Sequence, residues 1–120
     1  MEILSIKETD DTPKITLDKT NGIFEISGRS LPEDSVEFYR PILEWIDNYR
    51  KEPNATTDFV FKLEYSNTAS SKLVQTVMSA LKDIKGVKII WYYLKDDEDM
   101  ELAGREFSEQ IEIPFEFKTY

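Results

Sequence analysis

Helical and strand-like periodicities alternate along this chain, and that alternation restricts the fold more than any other feature of it. Val36, Tyr39, Leu43 and Ile46, with Ile42, Trp45 and Tyr49 beside them, recur at helical spacing. Leu73, Val77, Ala80, Leu81 and Ile84 repeat the pattern, as do Leu102, Ala103 and Phe107. Strand-like segments separate these stripes. Phe59, Phe61, Leu63 and Tyr65 alternate with Asp58, Lys62 and Glu64, Val60 being the apolar exception. Val87 to Leu94 is apolar on both parities, the pattern of a strand buried on both faces. Ile111 to Phe117 alternates strictly, and Pro114, with no N–H to give a ladder, makes it an edge strand. Two short β-like runs, Lys14 to Leu17 and Ile23 to Ser27, come before all of these. The Asn21-Gly22 pair between them tolerates positive φ and favours a hairpin.

The order β-β-α-β-α-β-α-β predicts an α/β fold with right-handed crossovers. Its sheet is mainly parallel and covered by helices, with an antiparallel N-terminal hairpin. Asp34 or Ser35 caps the first helix, and Pro41 predicts either a kink or a later start near itself. Gly86 stops the second helix, and Asp96 to Asp99 form an acidic first turn for the third. Two independent cores in 120 residues would each fall near the lower size limit for folding alone, so residues 1–120 are expected to form one domain. The first ten residues are polar and expected to be loosely ordered, with Ile3, Leu4 and Ile6 able to dock.

Composition then narrows the chemistry. The chain has no cysteine, which removes disulfides, thiolate metal sites and thiol nucleophiles, and it has no histidine, the commonest general base and metal ligand. A net charge of −9 disfavours nucleic acid and anionic membranes as partners. The start of the chain lacks the basic and apolar regions of a signal peptide, and no apolar run reaches membrane-spanning length. A cytoplasmic location is expected.

The candidate sites follow the same logic. Asp96 to Asp99 with Glu101 fail as a calcium loop, because the sixth position counted from Asp97 is Leu102 where a glycine is needed. Asp58 and Glu64 fall on the polar parity of their strand, without the burial that would raise a carboxyl pKa. The four glycines are scattered and make no phosphate-binding loop. No catalytic residue, metal ligand or cofactor is therefore assigned, and a non-enzymatic role is expected.

The cluster Ser66-Asn67-Thr68-Ala69-Ser70-Ser71 stands apart by position. It joins a parallel strand to a helix N-terminus, where open α/β sheets place ligand contacts. Asn, Ser and Thr satisfy orphan N–H groups there, so capping accounts for the composition by itself. A hydroxyl at that position also suits regulation. A phosphate adds roughly −1.5 to −2 charges at pH 7, which the helix dipole tolerates. Each like-charge pair about 6 Å apart, at an effective dielectric near 20, costs roughly 3 kcal/mol, or about two decades of affinity. One modification could therefore release a bound protein without unfolding the domain.

Three segments resemble the SiaC-type regulatory phosphoproteins of bacteria. They are Val36 to Trp45, Phe61 to Lys72, and the aromatic strand with Trp91-Tyr92-Tyr93. The resemblance spans most of the chain and implies an architecture like that of STAS-type anti-sigma-factor antagonists. It further implies that Thr68 is the phosphoacceptor, and that Asn67, Ser70, Ser71 and Lys72 shape the partner-binding surface around it. In such proteins a cognate protein kinase adds the phosphate and a PP2C-like phosphatase removes it. The unphosphorylated form binds and activates a diguanylate cyclase, promoting cyclic-di-GMP synthesis and biofilm control. The alternative on the same architecture is an anti-sigma-factor antagonist in a partner-switching transcriptional pathway.

Overall fold

Alternate strand residues collect on one side of a single sheet, and the helices all cover that side. The computed structural model describes residues 1–120. Its elements are β1 (Leu4–Ile6), β2 (Lys14–Asp18), β3 (Ile23–Ser30), α1 (Ser35–Tyr49), β4 (Thr57–Ser66), α2 (Thr68–Leu81), β5 (Val87–Tyr93), α3 (Glu98–Gln110) and β6 (Phe115–Thr119). The six strands lie side by side in chain order. The pairs β1–β2 and β2–β3 are antiparallel, and the three later pairs are parallel.

This topology explains where the core sits. Each parallel crossover moves one strand further in the same direction, and crossovers of one hand then place every helix on the same face. The register sets Phe24 beside Phe59 and Phe59 beside Ile89, with Ile26, Phe61 and Trp91 forming the next row. Tyr39, Ile42 and Ile46 of α1 and Val74, Val77 and Met78 of α2 pack on these rows in one cluster. Each large side chain removed from water here contributes about 1.5–3 kcal/mol. The opposite face carries Thr16, Glu25, Val60, Ile90 and Glu116 in one row and no helix.

The structure decides four points that the sequence left open or set differently. The sheet is covered on one face only, so β5 is not sandwiched between helices. Ile90 on the open face is nonetheless 7% exposed, because side chains from neighbouring strands shelter it. Lys62 and Lys118 lie over the Tyr92 ring on the same face. Within the first ten residues, expected to be loosely ordered, Leu4 and Ile6 do dock, as residues of the edge strand β1 paired with Leu17 and Ile15. The Trp45 indole secures the segment before it by donating to the Glu2 carbonyl at 2.8 Å. The last strand begins at Phe115, and Pro114 precedes it with its carbonyl accepting from the Ile89 N–H. Finally, α1 starts at Ser35, so the later start near Pro41 is excluded, and of the two expected caps it is Asp34 that accepts from the Glu37 N–H at 3.1 Å.

Two glycines mark close approaches. Gly86 does not stop α2, which ends at Leu81; it has φ +79°, and a Cβ there would lie 2.2 Å from the Ala55 carbonyl oxygen. Gly104 lies inside α3, where alanine is the better helix former by about 1 kcal/mol. A Cβ at Gly104 would meet the Trp91 indole at 2.5 Å, however, and that ring is fully buried. Overpacking costs about 1–3 kcal/mol and outweighs the propensity gain. Gly104→Ala should therefore lower the free energy of unfolding, by up to about 2 kcal/mol once the propensity gain is subtracted, in a urea titration.

Tyr39 of α1 hydrogen-bonds Ser30 at the end of β3, 2.7 Å apart in the core. Burial pushes its phenol up from 10.0 to about 12, against the lowering effect of the Ser30 bond. Below about pH 10 folded and unfolded chains both hold this proton, so its contribution to stability is complete. Between about pH 10 and 12 only the unfolded chain releases it, and stability should fall by roughly 2–3 kcal/mol. Denaturant titrations across that range should show this decline, and Tyr39→Phe should remove it while costing about 1 kcal/mol at neutral pH.

Candidate functional site at the strand–helix junction

Strands β3, β4 and β5 run in the same direction, so the helices that follow them all start at one edge of the sheet. The middle junction is held by Asn67. Its N–H donates to the Ser30 carbonyl at 3.1 Å, tying the end of β4 to the end of β3. Its side-chain oxygen accepts from the Ser70 N–H at 2.8 Å, and its carbonyl accepts from the Ser71 N–H at 2.9 Å. The extended backbone at Asn67 (φ −77°, ψ 173°) turns the strand directly into α2. One residue therefore performs the capping that the whole hydroxyl cluster was expected to share.

Thr68 is the first residue of α2, and its side chain is exposed. It stands on a ridge between two surface grooves. One groove, toward α1, is lined by Glu33, Asp34, Val36, Thr68, Ala69 and Leu73, among others. The other, toward α3, includes Thr68, Ser71, Lys72, Ala103 and Phe107, and the Gln75 amide bridges it to Gln110 at 2.7 Å. Anything that docks across either groove covers Thr68. Lys72 lines both grooves, is exposed, and belongs to none of the five ion pairs.

The remaining residues of the cluster divide between surface and core. Ser71 is half-buried, with its hydroxyl 3.0 Å from that of Ser66. Ser70 is different. It is fully buried, and its hydroxyl has no hydrogen-bond partner. The expectation that Ser70 forms part of the partner-facing surface is therefore corrected. Ser70 begins the inward stripe that continues through Val74, Val77 and Leu81, and helical spacing turns its side chain toward the core.

Sequence reasoning missed Ser30 and Tyr39, which anchor the junction from below. A serine closing a strand carries no signal of a tyrosine partner nine residues later. It also missed a cleft of about 280 Å³ between the ends of β4 and β5 and the start of α3. No group of three or more carboxylates is arranged to hold a metal ion, and no helix is long and apolar enough to cross a membrane.

Comparison with known proteins places this geometry in a family. The family model for SiaC family regulatory phosphoproteins matches residues 6–120. An uncharacterized protein of Pseudomonas aeruginosa (strain UCBPP-PA14) is 26% identical over 124 residues, covering 100% of this chain and 98% of that protein. The crystal structure of apo-SiaC from Pseudomonas aeruginosa superposes with a TM-score of 0.88 at 26% identity, over 98% of this chain and 99% of that one. A second crystal structure, of the diguanylate cyclase SiaD in complex with its activator SiaC from the same organism, matches with a TM-score of 0.90. There too the identity is 26%, over 98% of this chain and 99% of the other. Agreement along nearly the whole length, in sequence and in fold, shows that the chain belongs to the SiaC family of regulatory phosphoproteins.

Proposed function

We propose that this chain binds and activates a diguanylate cyclase in its unphosphorylated form, and that phosphorylation of Thr68 releases it. The observation that carries this reading is the placement of Thr68, exposed at the first position of α2 on the ridge between two grooves. Its hydroxyl forms no hydrogen bond within the chain, so a kinase can reach it without first breaking a contact. Membership of a family of regulatory phosphoproteins, together with SiaC of Pseudomonas aeruginosa being the activator in a complex with the cyclase SiaD, supports the choice of partner. The chain acts by docking and carries out no catalysis of its own.

The effect of a phosphate follows from its surroundings. Bound to Thr68, it would sit at the N-terminus of α2, where the dipole favours an anion and the helix stays intact. Glu33 and Asp34 line the same groove, so the surface there is already negative. Lys72 lies one turn along α2 and offsets one charge at most. A partner covering this ridge would have to strip water from a dianion flanked by carboxylates. Lost hydration and like-charge repulsion both oppose docking. A kinase and a PP2C-like phosphatase would set the fraction of free activator.

Intact-mass analysis after co-expression with the cognate kinase should show one added phosphate, absent in Thr68→Ala. A phosphate that persists in Thr68→Ala would move the switch elsewhere. Calorimetry against the cyclase retained in a pull-down should show Thr68→Ala binding like the parent and Thr68→Glu binding roughly tenfold more weakly, since the mimic carries less charge than phosphate. Recovery of an anti-sigma factor in place of a cyclase would overturn the proposed partner.

A further inference from the structure

The cleft at the start of α3 borders the junction, sharing Ser66 and Ser71 with it, and takes no part in the phosphorylation proposed above. Its walls are apolar, formed by Leu63, Val74, Trp91, Met100, Ala103 and Phe107. Glu64, Asp97 and Asp99 also line it, and no lysine or arginine does. The volume of about 280 Å³ lies at the lower end of the range of about 300–1,000 Å³ usual for small-molecule sites and admits one large side chain. Tyr65, at the rim, is 44% exposed and lies under the Arg29 guanidinium at 5.4 Å. A large aromatic residue left in water beside an apolar cleft is characteristic of protein-binding surfaces. The cleft also continues into the groove that carries Thr68, because Ser71, Ala103 and Phe107 line both.

From this we infer that the cleft is the anchor pocket for the effector, taking one apolar side chain from a segment whose flanking residues are basic. The inference rests on the docking reading above and specifies the chemistry of the docked segment. The apolar walls gain from covering, and the three carboxylates select cations on either side of the anchor. An acidic segment is rejected there by like charge, which gives the surface specificity as well as attraction. The net charge of −9 favours the approach of a basic segment to the protein before contact.

The test uses the two indole N–H signals of the protein. Trp91 lines the cleft and donates to the Met100 carbonyl at 2.9 Å, whereas Trp45, on α1, donates to the Glu2 carbonyl ahead of β1 and serves as the internal reference. The probe is a capped pentapeptide with one phenylalanine between two pairs of arginines, titrated into the ¹⁵N-labelled chain. The Trp91 signal should move saturably while that of Trp45 stays in place. The same peptide with serine for phenylalanine, or with glutamates for arginines, should leave Trp91 unmoved. The exposed double variant Glu64→Gln with Asp99→Asn should bind the arginine peptide and the cyclase on the order of tenfold more weakly. A Trp91 signal that ignores the arginine peptide, or responds equally to all three peptides, overturns the inference. A cyclase that binds the double variant as tightly as the parent overturns the pocket and leaves docking intact. A cyclase that does not bind the parent chain overturns the docking reading, while the peptide series still decides the pocket.

Discussion

Burial of one face of the sheet is the constraint on which the rest of the molecule depends. The rows Phe24–Phe59–Ile89 and Ile26–Phe61–Trp91 cross three parallel strands, and all three helices close over them. Parallel strands gather the helix starts along one edge, and crossovers of one hand leave the opposite face without a helix. The functional edge is thus a consequence of the topology that buries this face. Trp91 connects the two most directly, since its ring touches Phe61 and Phe107 and its indole N–H holds the first turn of α3.

The junction around Thr68 needs rigidity beneath and freedom above. Rigidity comes from Asn67, which uses its N–H, carbonyl and side chain at once, and from the Ser30–Tyr39 bond below it. Freedom comes from the helix start itself, where the first residue points away from the core before the inward stripe begins. A modification at such a position changes the surface without disturbing the packing that holds it. Ser70, two residues later, is already inside, with a hydroxyl that has no partner. A serine there occupies little volume at the start of the buried stripe of α2. That is a steric reason for a small residue and gives no account of the hydroxyl.

Much of this was legible in the residues. The three helices and the strands from β2 to β5 follow from periodicity, and Asn67 to Ser71 stood out through their place between a strand and a helix. The parts that were not legible share one cause. Residues 4–6 are too few to show a period, and they become a strand only because β2 offers them an edge. Ile111 and Ile113 alternate like a strand but are buried in the turn before β6, where the register with β5 begins at Phe115. The apolar doubling of β5 suggested two helical layers, but Ile90 is sheltered by its strand neighbours. The cleft is assembled from β4, α2, β5 and α3, and no local window contains it.

By itself the sequence determined the kind and order of the elements from β2 onward and marked Asn67 to Ser71 as a junction between a strand and a helix. These depend on backbone preferences and side-chain periods that act over a few residues. Only the tertiary structure decided that one face is bare, that Ser70 turns inward, and that acidic and apolar groups from four elements share a cleft. Those outcomes rest on contacts between residues distant in the chain, where burial and charge are set by neighbours the local sequence does not name.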